Sequence, residues 1–201
     1  MTGGRLIAVV GPSGVGKDSV LAGIAAQAPE MRLVRRVITR APDLGGEVFD
    51  AMTPEAFAEA VAQGAFCLHW DAHGLRYGIP ARVLDEVRTG MDCLANLSRS
   101  TLAEAAATFP RLLVLHITAA PEVLARRLAD RGRESGDDIA RRLRDAAKPL
   151  PPGLRTVTLS NDGPLPQTVA RALAALRRGQ PPDGATQDPA ADKTARRDWR
   201  T

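Results

Sequence analysis

The seven residues Gly11-Pro-Ser-Gly-Val-Gly-Lys17 carry the G-x-x-x-x-G-K spacing near the start of a 201-residue chain. Three glycines allow the backbone to turn its N–H groups inward, and Pro12, Ser13, Gly14, Val15 and Gly16 then form a cradle for phosphate oxygens. Lys17 adds a point charge that reaches the outer phosphates of a nucleoside triphosphate. The next position usually offers a hydroxyl to a magnesium ion; here it is Asp18, followed by Ser19. A carboxylate is a hard oxygen ligand, so Asp18 suits Mg²⁺. It equally suits the N-terminus of a helix, where an anion is favoured by about 0.3–1 kcal/mol.

Such a cradle works only between a strand and a helix. Residues 5–10 form a short β-type run, and residues 17–27 carry Val20, Leu21 and Ile24 at helical spacing. Further along, residues 32–38 read as one strand. Residues 54–63 read as a helix with Thr53 as N-cap, Pro54 in its first turn and Gly64 after its end. Residues 66–70 and 75–77 read as strands around a turn at Gly74, residues 80–89 as a helix, and residues 92–97 as a buried strand. Residues 100–108 are helical, residues 112–118 form the most apolar strand, and residues 121–131 begin a helix at Pro121. Strands alternating with helices predict a parallel sheet covered on both faces, with ligands at the carboxyl ends of the strands.

The length suits one such domain. No run of eighteen apolar residues and no leader pattern is present, so a soluble cytoplasmic protein is expected, with no membrane partner. Cys67 and Cys93 lack metal-type spacing and read as small buried hydrophobes. The net charge is +4, yet aromatic residues are only 3% of the chain, too few for a base-stacking surface. The surplus of arginine therefore points to polyanionic small molecules rather than to nucleic acid. Residues 179–201 are rich in Pro, Gly, Ala and mixed charge and are expected to be a disordered tail.

The phosphate loop together with Thr39-Arg40, Gly46-Glu47, Phe66, Gly74-Leu-Arg-Tyr77-Gly78, Arg131-Gly-Arg-Glu134, Arg141-Arg142-Leu143 and Asn161-Asp162 resembles the guanylate-kinase family over residues 5–178. The resemblance implies an α/β P-loop fold of the nucleoside-monophosphate-kinase type: a three-layer parallel sheet, a small mixed acceptor-binding insertion at about 36–90, and a lid at about 131–142. Guanylate kinases read guanine with a Glu nine residues before the tyrosine of the Tyr-Gly pair and a Ser or Thr just after the glycine. Those positions hold Leu68 and Ile79, and a second phosphate-binding arginine of that family falls at or near Asp43. A guanine edge buried without partners loses about 1–3 kcal/mol per group, so GMP is not the expected acceptor.

Gly16-Lys-Asp-Ser19, Ile38-Thr-Arg40, residues 70–78, Asn96-Leu-Ser-Arg99 and Asn161-Asp-Gly163 are more similar to ribose 1,5-bisphosphate phosphokinase of phosphonate catabolism. Leu97 departs from that pattern, in which a glycine is expected. This resemblance implies ATP-dependent conversion of ribose 1,5-bisphosphate to 5-phospho-α-D-ribose 1-diphosphate, with Mg²⁺. It implies that Lys17, Arg131 and Arg142 neutralise charge on the transferred group and that Asn161 lies near the adenine. Arg40, Tyr77 and Arg99 are expected at the acceptor, Arg36 less so, beside Asn96, Ser98, Leu68 and Ile79. Asn96 and Ser98 stand where guanylate kinases carry acidic residues, so Asp18 would restore the lost negative charge. The rival readings are a guanylate or other nucleoside-monophosphate kinase and a kinase-like interaction module without activity.

Overall fold

A computed structural model describes residues 4–41, 48–130 and 149–178. The expectations for Asp43, Gly46, Glu47, Arg131, Arg142, the lid and the tail lie outside the described residues.

Strand β1 (Leu6–Val10) is five apolar residues, all buried, which suits the centre of a sheet covered on both faces. It leads through the glycine loop into α1 (Lys17–Gln27), whose Val20, Leu21 and Ile24 are buried. The five-stranded sheet has the order β2-β7-β1-β8-β9, with every pairing parallel: β2 (Arg32–Leu33), β7 (Cys93–Asn96), β8 (Leu112–Thr118) and β9 (Thr156–Ser160). Helix α1 and the last helix, α6 (Leu165–Arg178), pack on one face. There Ile7, Val9, Leu113, Leu115, Val157 and Leu159 meet Leu21, Ile24, Val169 and Leu173.

A second sheet, in the order β4-β3-β6-β5, comprises β3 (Val37–Ile38), β4 (Asp50–Ala51), β5 (Phe66–Ala72) and β6 (Leu75–Pro80). Helix α2 (Pro54–Ala62) begins as expected, with Thr53 Oγ1 accepting from Ala56 N at 3.2 Å. The inner face of this sheet presents Leu68, Trp70, Tyr77 and Ile79, which pack with Ala8, Val10, Ala95 and Val114 of the first sheet and with Val83 and Val87 of α3 (Arg82–Arg88). Leu102 and Ala105 of α4 (Leu102–Thr108) complete that core. Helix α5 (Pro121–Asp130) follows β8.

Two sequence expectations change. Residues 32–38 are not one strand: Arg32 and Leu33 pair with β7, whereas Val37 and Ile38 pair with β4 and β6. The chain leaves one sheet and joins another, and β propensity within the segment does not encode that transfer. The segment expected as a helix over 100–108 starts as a 3₁₀ turn (Arg99–Thr101) before it becomes α4, because Ser98 caps it: its Oγ accepts from Ser100 N at 3.3 Å.

Both cysteines are free. Burial pushes the Cys67 thiol up to about 11, and burial followed by Glu86 pushes Cys93 up to about 12. Neither thiol is a thiolate near neutral pH. Among the described residues no helix is long and apolar enough to cross a membrane.

Candidate active site

The glycine loop leaves β1 at its carboxyl end and enters α1, as a phosphate cradle requires. Two glycines are demanded by close approach. A Cβ on Gly11 would lie 2.3 Å from Ile117 O, and one on Gly16, where φ is +92°, would lie 2.8 Å from Asn161 Nδ2. Lys17 Nζ donates to Gly11 O at 3.0 Å and to Pro12 O at 3.1 Å. The ammonium therefore lies over the mouth of the loop.

The far side of the loop is braced by side chains from two later elements. Asn161, only 4% exposed, donates Nδ2 to Val15 O at 2.8 Å and accepts Thr168 Oγ1 at 2.8 Å on Oδ1. Its side-chain amide bonds to the loop backbone, so Asn161, expected near the adenine, also fixes the loop from behind. Arg127 of α5 adds Nη2 to Asn161 O at 2.8 Å and Nη1 to Val15 O at 3.4 Å. Sequence reasoning did not single out Arg127, since it sits in a run of arginines along one helix and only the fold selects which one turns to the loop. Asp162 accepts from Ala120 N at 2.7 Å and from the Ser160 hydroxyl, which ties the ends of β8 and β9 together. The Ser160 hydroxyl, then the Ala120 N–H, hold the Asp162 carboxyl below the usual carboxylate range. Asn161→Ala removes both buried bonds and is expected to cost about 1–3 kcal/mol. Urea denaturation, together with a raised KM for ATP, checks this.

Asp18 lies in the first turn of α1, whose N-cap position is Gly16 and carries no side-chain cap bond. The Asp18 carboxylate instead accepts Asn96 Nδ2 at 2.8 Å across the strand ends. Asn96, 8% exposed and expected at the acceptor, thus holds Asp18 beside the phosphate loop. Ser98 is engaged with its own turn, pairing with Ser100 Oγ at 2.8 Å, while its carbonyl accepts Thr101 Oγ1 at 2.7 Å. Among the described residues no group of three or more His, Cys, Asp or Glu forms a metal cage. The Asp18–Asn96 pair fits an ion that arrives with phosphates, the usual habit of Mg²⁺.

On the other side of the loop, the inner face of the second sheet is cationic and aromatic. Trp70 and Tyr77 stack with centroids 5.3 Å apart and planes 8° from parallel. The Arg36 guanidinium lies 5.0 Å from the Tyr77 ring and 5.9 Å from Trp70. Arg40 lies 4.3 Å over Phe49. Arg99 opens the 3₁₀ turn after β7, which contacts β5. Cation–π stacking holds the face of the Arg36 guanidinium against the Tyr77 ring, so the weaker acceptor candidate Arg36 and the candidate Tyr77 lie side by side.

Leu68 and Ile79 are paired in register across β5 and β6 and are both fully buried in the core shared with the first sheet. They do not line an open pocket as expected of acceptor residues; both pack as core.

No family model matches the chain. The chain is 48% identical over 176 residues to the ribose 1,5-bisphosphate phosphokinase PhnN of Ruegeria sp. (strain TM1040), covering 87% of this chain and 92% of that protein. The protein of the same name from Pseudomonas fluorescens is 44% identical, with 88% and 96% covered. A bifunctional ribose 1,5-bisphosphokinase-thymidine phosphorylase of Cupriavidus necator is 44% identical over 96% of this chain and 31% of its own length. Among solved structures, a guanylate kinase from Anaplasma phagocytophilum superposes with a TM-score of 0.64 at 18% identity, covering 90% of this chain and 88% of that one, which places the fold as guanylate-kinase-like. With a braced phosphate loop on that fold and such identity to its relatives, the chain belongs to the ribose 1,5-bisphosphate phosphokinase family, a family of kinases.

Proposed function

We propose that this protein transfers the γ-phosphoryl group of ATP to the 1-phosphate of ribose 1,5-bisphosphate, giving 5-phospho-α-D-ribose 1-diphosphate and ADP. One observation carries the reading: Leu68 and Ile79, at the positions where the guanylate kinases that the chain resembles read the base, are buried hydrocarbon, while Arg36 lies over Tyr77 and Arg40 over Phe49 on the same small sheet. Hydrocarbon at those two positions offers a purine edge no hydrogen bond, whereas the two phosphates of ribose 1,5-bisphosphate suit guanidinium and hydroxyl donors. The names of the relatives support the same acceptor.

The acceptor phosphate is already anionic near neutral pH, so no general base is needed. The γ-phosphorus bonds to an oxygen of the acceptor phosphate as its bond to the β,γ-bridging oxygen breaks, and that oxygen leaves with its electron pair on ADP. Lys17 and the loop amides hold the donor and offset charge as it shifts to the leaving oxygen. Arg36, Arg40, Tyr77 and Arg99 align the acceptor. Arg131 and Arg142, outside the described residues, are proposed to close over the transferred group. Asp18, held by Asn96, and Ser19 would position Mg²⁺. The ion would supply charge neutralisation at the phosphates. On this reading the enzyme acts in the cytoplasm, in phosphoribosyl diphosphate synthesis and phosphonate catabolism.

The test is a panel of acceptors with ATP and Mg²⁺, products resolved by mass. Loss of two base contacts predicts a preference for ribose 1,5-bisphosphate over GMP on the order of 100-fold or more in kcat/KM. Equal or faster turnover of GMP would end the proposal.

A further inference from the structure

Strand β8 is apolar except near its carboxyl end, where His116 interrupts it. His116 pairs in register with Val10, the last residue before the phosphate loop, and with Thr158 of β9. Side chains alternate along a strand, so His116 shares the face of Val114, two residues back. Val114 and Val10 both belong to the core that meets the second sheet, whereas Leu115 and Ile117 face α1 and α6. The imidazole thus lies on the cleft side of the central sheet, level with the root of the loop.

Two features of this imidazole are unusual for a packing residue. Its Nε2 is fully buried, and among the described residues it has no hydrogen-bond partner. Burial first, and the Arg99 guanidinium second, lower its pKa from the ordinary value, so the ring is neutral and lies within electrostatic reach of an arginine proposed above to hold the acceptor. A leucine or phenylalanine would fill the same place in an otherwise apolar strand without leaving a buried nitrogen unsatisfied, so the histidine costs stability that packing alone does not require.

We propose that His116 is a further acceptor-binding residue, its Nε2 pairing with an oxygen of the acceptor phosphate that Arg99 also holds. The anion supplies the missing hydrogen-bond partner and sits beside the guanidinium, at the level of the loop where the γ-phosphate is presented. The inference rests on the phosphate-acceptor reading above, but not on which sugar bears the phosphate.

The test compares wild type with His116→Leu and His116→Gln, using the acceptor from the panel that wild type turns over fastest. A hydrogen bond to a charged oxygen corresponds to about 10- to 100-fold in affinity. His116→Leu should raise the acceptor KM by that factor, leave the KM for ATP within about twofold, and melt no lower than wild type. His116→Gln, which keeps an N–H donor, should recover part of the loss. An acceptor KM for His116→Leu within twofold of wild type overturns the proposal, as does a fall in melting temperature with both KM values raised together. Should wild type prefer an acceptor other than ribose 1,5-bisphosphate, the acceptor assignment falls while the His116 comparison still decides this one.

Discussion

Lys17→Ala should lower kcat by about 10²–10³-fold, the usual cost of removing one preorganised charge from a transferring phosphoryl group. The structure explains why the loss should fall on rate rather than on folding. Lys17 Nζ bonds to Gly11 O and Pro12 O at the mouth of the loop, and it is not a core group. The loop backbone is held from the opposite side, by Asn161 and Arg127 on Val15 O. The variant should therefore melt close to wild type. Single-turnover rates with saturating ATP, set beside thermal melts, check both halves, and a variant retaining more than a tenth of the wild-type rate would remove Lys17 from the proposed mechanism.

Asp18→Asn should also act on turnover, and through the metal. The substitution keeps the size of the side chain and its hydrogen-bonding partner Asn96, 2.8 Å away, but removes the negative charge. If Asp18 served only the helix N-terminus, the change would cost at most about 1 kcal/mol of stability and leave the rate at saturating Mg²⁺ intact. With Asp18 organising Mg²⁺, turnover should fall by orders of magnitude and the Mg²⁺ needed for half-maximal rate should rise. Rate titrations against Mg²⁺ for the two proteins decide the matter, and superimposable curves would discard the metal role. Asn96→Asp would sharpen the contrast, since it places two carboxylates side by side, where one of them resists ionisation.

Local pattern made much of this legible. The loop spacing named its own position between β1 and α1, and the helix start at Thr53-Pro54 was readable because capping chemistry is local. Strand β8 stood out by its apolar run, and its bounds agree with the expectation. Leu68 and Ile79 are legible as apolar residues at the spacing where the guanylate kinases that the chain resembles carry polar base readers. Resemblance supplied the family, and the relatives at 44–48% identity agree with it.

What the chain's pattern did not contain was the choice of neighbour. Residues 32–38 read as one strand because β propensity is a property of the segment, whereas membership of one sheet or another depends on hydrogen bonds to β7, β4 and β6, far along the chain. The same holds for polar side chains. Residue type places Asn161 and Asn96 among the ligand candidates, but it does not give the partners of their amides, Val15 O and the Asp18 carboxylate, 146 and 78 residues distant. Arg127 and His116 drew no notice in the sequence, one hidden in a basic run and the other a lone histidine in an apolar strand. Only the packing of α5 against the loop, and of β8 beside Arg99, sets them apart. Residue type and spacing determine which chemistry a chain carries; which buried donor meets which acceptor is decided by the tertiary fold, because a hydrogen bond depends on distance in space and not on separation in sequence.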